Sequence, residues 1–181
     1  MPCMIALLRG VNVGNNILRM ERLRELCGKI GMKNVRTYVQ SGNVVFEAPG
    51  GASEWAAALE RKLAGETRLP VSVVVRTPSD LRRILDRNPF LKERGIDEAR
   101  LHVTMLAENP ARSVVHSLPA QIERYCRGDR YVLAGRDIYL HCPNGYGQSK
   151  LTNSLFEKLL EVRATTRNWN TVNSLYKMTQ E

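Results

Sequence analysis

The chain is 181 residues long, 43% hydrophobic and 25% charged, proportions that exclude a mainly disordered polymer. No apolar run approaches the ~20 residues of a membrane span, and a chain of this length buries roughly 70% of its unfolded surface, so folding requires no metal or disulfide staple. The net charge is +9, from 27 basic and 18 acidic residues, which gives a diffuse attraction for anions.

Cys3–Leu8 is a short apolar run ending at a glycine loop, the pattern of a buried strand. Met20, Leu23, Leu26, Cys27 and Ile30 then recur at helical spacing, with Gly31 as the stop. Asn34–Val39 and Val44–Ala48 are strand-like, and Gln40-Ser41-Gly42-Asn43 between them signals a hairpin. Ser53 is a candidate cap for a second helix with Trp55, Leu59 and Leu63 on one face. The β-branched run Val71–Val75 completes the order β-α-β-β-α-β, the ferredoxin-like arrangement. That topology predicts that the loops Arg9–Asn16, Gln40–Asn43 and Thr67–Pro70 lie at one end of the sheet.

The second half reads less regularly. Thr77-Pro78-Ser79-Asp80 starts a helix with a cap, a proline in the first turn and an acidic residue. Leu81, Ile84 and Leu85 form its stripe, and Asn88-Pro89 ends it. Leu101–Ala107 alternates as a strand, Ala111–Leu118 reads as a short helix, and Ile122–Cys126 as a further strand. Tyr131–Ala134 and Ile138–Cys142 form a hairpin through Gly135-Arg136-Asp137. A helix with Leu151, Leu155 and Leu159 follows, then a last one with Val172 and Leu175. The expected fold class is α+β: a ferredoxin-like module over residues 1–76, and a second module over 77–181 with a mixed sheet and helices, packed tightly on the first. No sequence repeat relates the halves.

Cys3, Cys27, Cys126 and Cys142 lie far apart, and His102, His116 and His141 add no ligand spacing, so neither a metal nor a cofactor is implied. The opening Met1–Arg9 is too short for a secretory signal, which with reduced thiols points to the cytoplasm. The first 76 residues hold 11 basic and 6 acidic side chains and the remainder 16 and 12, so no polybasic arm stands out.

Three polar loops offer candidate ligand-binding residues. The glycine loop Arg9–Asn16 leads from strand to helix and contributes Arg9, Asn12 and Gly14; its amides could meet an anion, although it matches no phosphate-loop pattern. Arg36–Asn43 contributes Arg36, Ser41 and Asn43, with Ser-Gly-Asn also a plain turn sequence and no elbow for a nucleophilic serine. Ala164–Thr171 contributes Arg167, Asn168 and Asn170 before the last helix, where Thr166 or Asn168 could equally be a cap and Trp169 a core cover. A smaller candidate, Asn144–Lys150, is another glycine-rich entry to a helix.

Four of these blocks carry a resemblance. Ala6–Gly14, Thr37–Phe46, Gly145–Thr152 and Thr166–Val172 resemble the bacterial family known as domain of unknown function 1697. The resemblance implies a two-module α+β fold and no established activity. Two departures remove positive charge: Asn15-Asn16-Ile17-Leu18-Arg19 lacks the lysines common after the glycine loop, and Ser174 stands where a lysine is frequent. Lysine-dependent chemistry is therefore in doubt, while Arg9 and Arg167 remain.

The expected function is binding of a small anionic ligand, phosphorylated or carboxylated and in one version a nucleotide, in a cleft lined by the polar loops. Electrostatic nucleic-acid binding and a protein-interaction or assembly role are the alternatives. Base stacking on the first sheet is disfavoured, because Phe46 shares its face with Val44, while Asn43, Val45 and Glu47 occupy the other. No acid–base pair stands out, so whether a reaction is catalysed is left open.

Overall fold

The structure is a computed structural model that describes residues 1–15, 17–67 and 70–181. The chain divides into two compact units, Met1–Arg83 with Ser174–Glu181, and Ile84–Asn173.

In the first unit β1 (Cys3–Arg9) leads to α1 (Met20–Lys29), β2 (Lys33–Tyr38), β3 (Asn43–Glu47), α2 (Ala52–Thr67) and β4 (Ser72–Arg76). The sheet order is β2-β3-β1-β4, antiparallel throughout, as the ferredoxin-like reading expects. Strand alternation sends Met4, Ala6, Leu8, Val44 and Phe46 into one core with Leu23, Leu26, Leu59 and Leu63 of the helices. The opposite face, with Ile5, Leu7, Asn43, Val45 and Val74, is buried as well. Helix α1 stops where Gly31 turns to φ +98° and the Met32 N–H returns to the Cys27 carbonyl at 3.2 Å. Helix α2 begins two residues earlier than the cap reading allows. Ser53 lies inside the first turn, and the Glu54 carboxylate accepts from the Gly51 N–H at 3.3 Å instead.

Helix α3 (Pro78–Asp86) starts as expected, with reciprocal bonds between Thr77 and Asp80: the Asp80 N–H donates to the Thr77 hydroxyl at 3.1 Å and the Thr77 N–H to the Asp80 carboxylate at 3.0 Å. The Asn88 side chain then accepts from the Phe90 N–H at 3.1 Å and opens a short 3-10 turn, Pro89–Lys92.

The second unit contains β5 (Leu101–Leu106), α4 (Arg112–Cys126), β6 (Arg130–Ala134), β7 (Asp137–His141), α5 (Asn153–Leu160) and β8 (Ala164–Asn168). Its order is β-α-β-β-α-β once more, with strands arranged β6-β7-β5-β8. The second unit thus repeats the topology of the first, and its sheet is antiparallel at every pairing rather than mixed. One backbone bond recurs in both: the Leu8 N–H donates to the Gly42 carbonyl at 2.8 Å, and the Leu106 N–H to the Arg136 carbonyl at 2.9 Å. Each fixes the end of the first strand against the hairpin turn.

Two readings of this half are corrected. Ala111–Leu118 and Ile122–Cys126 are not a helix and a strand but parts of α4, which continues through Pro119. An interior proline costs about 3 kcal/mol, yet Leu118 and Ile122 lie one turn apart and both are buried, so packing keeps the helix whole. Ala164–Asn168, read as a polar loop, is the edge strand β8. The last helix, α6 (Trp169–Met178), ends in the first unit. No helix among the described residues is long and apolar enough to cross a membrane.

Candidate functional site

In the first unit, register alone gathers the loops at one end of the sheet. Leu7 stands opposite Asn43 and Arg9 opposite Ser72, so the β1–α1 loop, the β2–β3 turn and the start of β4 are neighbours. Asn16, Arg68 and Leu69 of the expected loops lie outside the described residues.

Asn12 organises this end. Its Oδ1 accepts from the Leu18 N–H at 2.8 Å, and its Nδ2 donates to the Leu18 carbonyl at 3.1 Å and the Gln40 carbonyl at 2.5 Å. Asn43 is fully buried and donates from Nδ2 to the Tyr38 carbonyl at 3.1 Å and the Ser41 hydroxyl at 2.8 Å. Both asparagine amides therefore build the turn. Gly14 is exposed at φ +59°, and Arg9 is half-buried at the end of β1. Arg36 sits within β2, opposite Val45, and is drawn to the chain's end: it pairs with Glu181 at 2.5 Å and donates to the Met178 carbonyl. A cation at the last carbonyls of α6 also opposes that helix's negative end.

The charged side chains bordering open space here are ones the sequence reading did not single out as ligand-binding candidates. A shallow depression of about 400 Å³ lies between the start of α1 and the turn, bordered by Arg19, Glu21, Arg24, Thr37, Val39 and Gln40. Arg19 is the N-cap of α1 in extended conformation, and its side chain makes no capping hydrogen bond. Arg24 donates to the Thr37 hydroxyl at 2.7 Å. Neither arginine has a carboxylate partner among the described residues. Their sequence signal was slight, namely arginines at the first position before a helix and one turn into it.

The second unit holds the remaining candidates. Arg167 stands opposite Val103 and donates to the Thr165 hydroxyl and the Thr166 carbonyl, both at 2.9 Å. Burial pushes its pKa down to about 10, which leaves it protonated at neutral pH. Asn168 caps α6, accepting from the Thr171 N–H at 2.8 Å, and Trp169 is buried, as the capping alternative anticipated. Asn170 is exposed in the first turn of α6. In the smaller candidate loop the Ser149 hydroxyl accepts from the Leu151 N–H at 3.0 Å, and Tyr146 stacks on His102 with ring centroids 4.8 Å apart.

The thiols give no sign of nucleophilic chemistry. Burial pushes Cys27 up to about 12 and Cys142 up to about 11, and raises Cys3 and Cys126 as well. Among the described residues no group of three or more His, Cys, Asp or Glu side chains is placed to hold a metal.

No curated protein matches the chain. Among solved structures it is similar to the conserved bacterial protein SP0830 from Streptococcus pneumoniae, at 22% identity and a TM-score of 0.75, over 100% of this chain and 99% of that one. That likeness concerns the fold. The family model described as "Protein of unknown function (DUF1697)" matches residues 1–139, and the chain belongs to that family.

Proposed function

We propose that the first unit binds a small anionic ligand, phosphorylated or carboxylated, at the loop end of its sheet. The observation that carries this reading is the depression of about 400 Å³ in which Arg19 and Arg24 border the positive end of α1, where the N-cap Arg19 makes no side-chain capping bond. Glu21 lies on the same rim and favours ligands that present one compact anionic group over extended polyanions. Gln40 adds an amide beside the cations. Of the residues first expected to hold the ligand, Asn12, Asn43 and Arg36 position the surrounding loops and strands.

A base-stacking nucleic-acid site finds less support, since Ile5, Leu7, Val45 and Val74 on the sheet's second face are all buried. The test is a thermal-shift series with inorganic phosphate, sugar phosphates, nucleotides, carboxylates and a short oligonucleotide. A ligand at 100 times its Kd stabilises by about 2.7 kcal/mol. We expect a shift selective for one class of small anion, lost in Arg19→Ala and Arg24→Ala. An equal shift with every polyanion that vanishes in salt would assign a basic surface instead, and a shift retained in both variants would reject the groove.

A further inference from the structure

The three backbone groups that Asn12 bonds belong to Leu18 and Gln40, and beside Asn12, Leu18 and Gln40 stands one exposed aliphatic residue each: Val13, Ile17 and Val39, at 68%, 76% and 53% exposure. Among the described residues only Met1, Leu91 and Val132 are other large apolar side chains left so open. Half of the exposed apolar groups are thus held around one asparagine.

Val39 is also strained. It adopts φ +50°, a left-handed conformation that β-branched residues rarely take. The carbonyls on either side are clamped, Tyr38 by the Asn43 amide at 3.1 Å and Gln40 by the Asn12 amide at 2.5 Å. Strain that the surroundings over-determine is characteristic of sites that present a side chain to something. Here the side chain presented borders the depression with Arg19 and Arg24. A second depression, of about 420 Å³, is bordered by Ile17 and again by Arg19. The nearby acid Glu66 is occupied by Lys62 and Arg22, both at 2.8 Å.

We propose that this end of the first unit docks an acidic, aliphatic segment of a partner protein, with a partner carboxylate between Arg19 and Arg24 and partner aliphatic side chains over Ile17 and Val39. The inference rests on the anion-binding reading of the groove and names what carries the anion. Charge complementarity selects the partner: two guanidiniums without carboxylate partners among the described residues call for acid, whereas a second copy of a chain of net charge +9 would be repelled. Nucleic acid would satisfy the arginines and leave the aliphatic groups without a role.

The experiment is selection of random twelve-residue peptides on the immobilised full chain, followed by Kd measurement for a synthetic selected peptide and, separately, for inorganic phosphate. Selected sequences should intersperse Asp or Glu with Leu, Ile or Val. Ile17→Asp and Val39→Asp should each weaken peptide binding by about tenfold or more, the scale of an interface anchor. Val39→Asn, which suits a left-handed turn, should weaken the peptide without lowering the melting temperature. Arg19→Ala should weaken peptide and phosphate together. Loss of both ligands in Arg19→Ala with full peptide affinity in the Ile17 and Val39 variants would overturn the docking surface and leave the anion groove standing. Absence of binding by either probe would overturn both. Enrichment of basic peptides, an oligonucleotide that depends on Ile17 and Val39, or self-association abolished by Val39→Asp would each assign the surface to a different occupant and overturn the proposal.

Discussion

The Nδ2 of Asn12 and the carbonyl of Gln40 lie 2.5 Å apart, joining the β1–α1 loop to the β2–β3 turn across 28 positions of sequence. The same side chain holds both backbone groups of Leu18, so one residue closes its own loop and fastens it to a second. Asn12 itself has φ +53°, a conformation asparagine tolerates better than most residues.

Replacing Asn12 should therefore cost more than its half-exposed position suggests. Three hydrogen bonds at about 0.5–1.5 kcal/mol each predict a loss of about 2–3 kcal/mol for Asn12→Ala. Asn12→Asp preserves the acceptor for the Leu18 N–H but sets a carboxylate oxygen against the Leu18 and Gln40 carbonyls. It should be at least as damaging at pH 7, and recover in part on acidification, when the carboxyl regains a proton to donate. Urea denaturation of the three proteins at pH 7 and pH 4 checks the order. A loss below about 0.5 kcal/mol in Asn12→Ala, the range of an ordinary surface change, would show that the clamp is dispensable.

Gly42 and Gly14 separate the two reasons a turn can require glycine. Both have positive φ, +72° and +59°, but a Cβ on Gly42 would stand 2.5 Å from Val11 Cγ2 and 2.8 Å from Leu8 Cβ, whereas one on Gly14 would meet nothing within 4 Å. Gly14→Ala should cost about 1–2 kcal/mol from backbone conformation alone. Gly42→Ala should cost about 1–3 kcal/mol more, the usual range for forcing atoms into a filled core. Melting curves of the two variants give the difference directly, and equal losses would mean that the Leu8–Val11 contact yields freely.

How much of this was legible depends on the range of the interaction that decides each element. The first unit declares itself in short-range pattern: the apolar run Cys3–Leu8, the helical spacing from Met20 to Ile30 and the Ser-Gly-Asn turn all match the structure. In the second unit local signals mislead. The helix read over Ala111–Leu118 ends just before Pro119, but Leu118 and Ile122 share one buried face and carry α4 through it. Thr165 and Thr166 read as loop hydroxyls, but their β-branched side chains sit on a strand paired to Met105 and Thr104. These two errors together hid the repeated β-α-β-β-α-β order. At the candidate site the polar residues were visible and their partners were not. Whether an asparagine bonds a ligand or a carbonyl 28 positions away is set by tertiary register, which no local pattern encodes.

The histidines set an acid limit on stability. Burial lowers the pKa of His102, and burial together with the Arg130 guanidinium lowers that of His141, whose Nδ1 lies 3.2 Å from Arg130. Glu93, Asp129 and Asp97 oppose the shift at His141 without reversing it. With folded pKa values below the unfolded value of about 6.5, the unfolded chain binds these protons first. The stabilisation is present above that pH and is lost as pH falls through the folded values. Glu66 and Glu93 are also shifted down, but from an ordinary value of 4.5, so their window lies lower. Unfolding free energy should accordingly fall between pH 7.5 and pH 5, and less steeply in His102→Gln. A flat profile over that interval would contradict the shifts.

Thr166 is the middle of a partly buried chain of polar side chains in the second unit. Its hydroxyl donates to Asn153 Oδ1 at 2.6 Å, and it lies 2.6 Å from the hydroxyl of Thr104, which is fully buried. Because the Thr166 proton is committed to Asn153, Thr104 must be the donor to Thr166. The direction fixes an order of cost. Thr104→Val removes the terminal donor and leaves Thr166 able to keep its bond to Asn153, a loss of about 1 kcal/mol. Thr166→Val removes both bonds and strands the Thr104 hydroxyl in a dry site, which adds a desolvation penalty of about 1–3 kcal/mol. The double variant removes that stranded group, so Thr104→Val should be nearly neutral, or restoring, in a Thr166→Val background. A double-mutant cycle by denaturant unfolding reads this coupling. Additive losses would mean that the two hydroxyls act independently and that the bond between them contributes nothing to the fold.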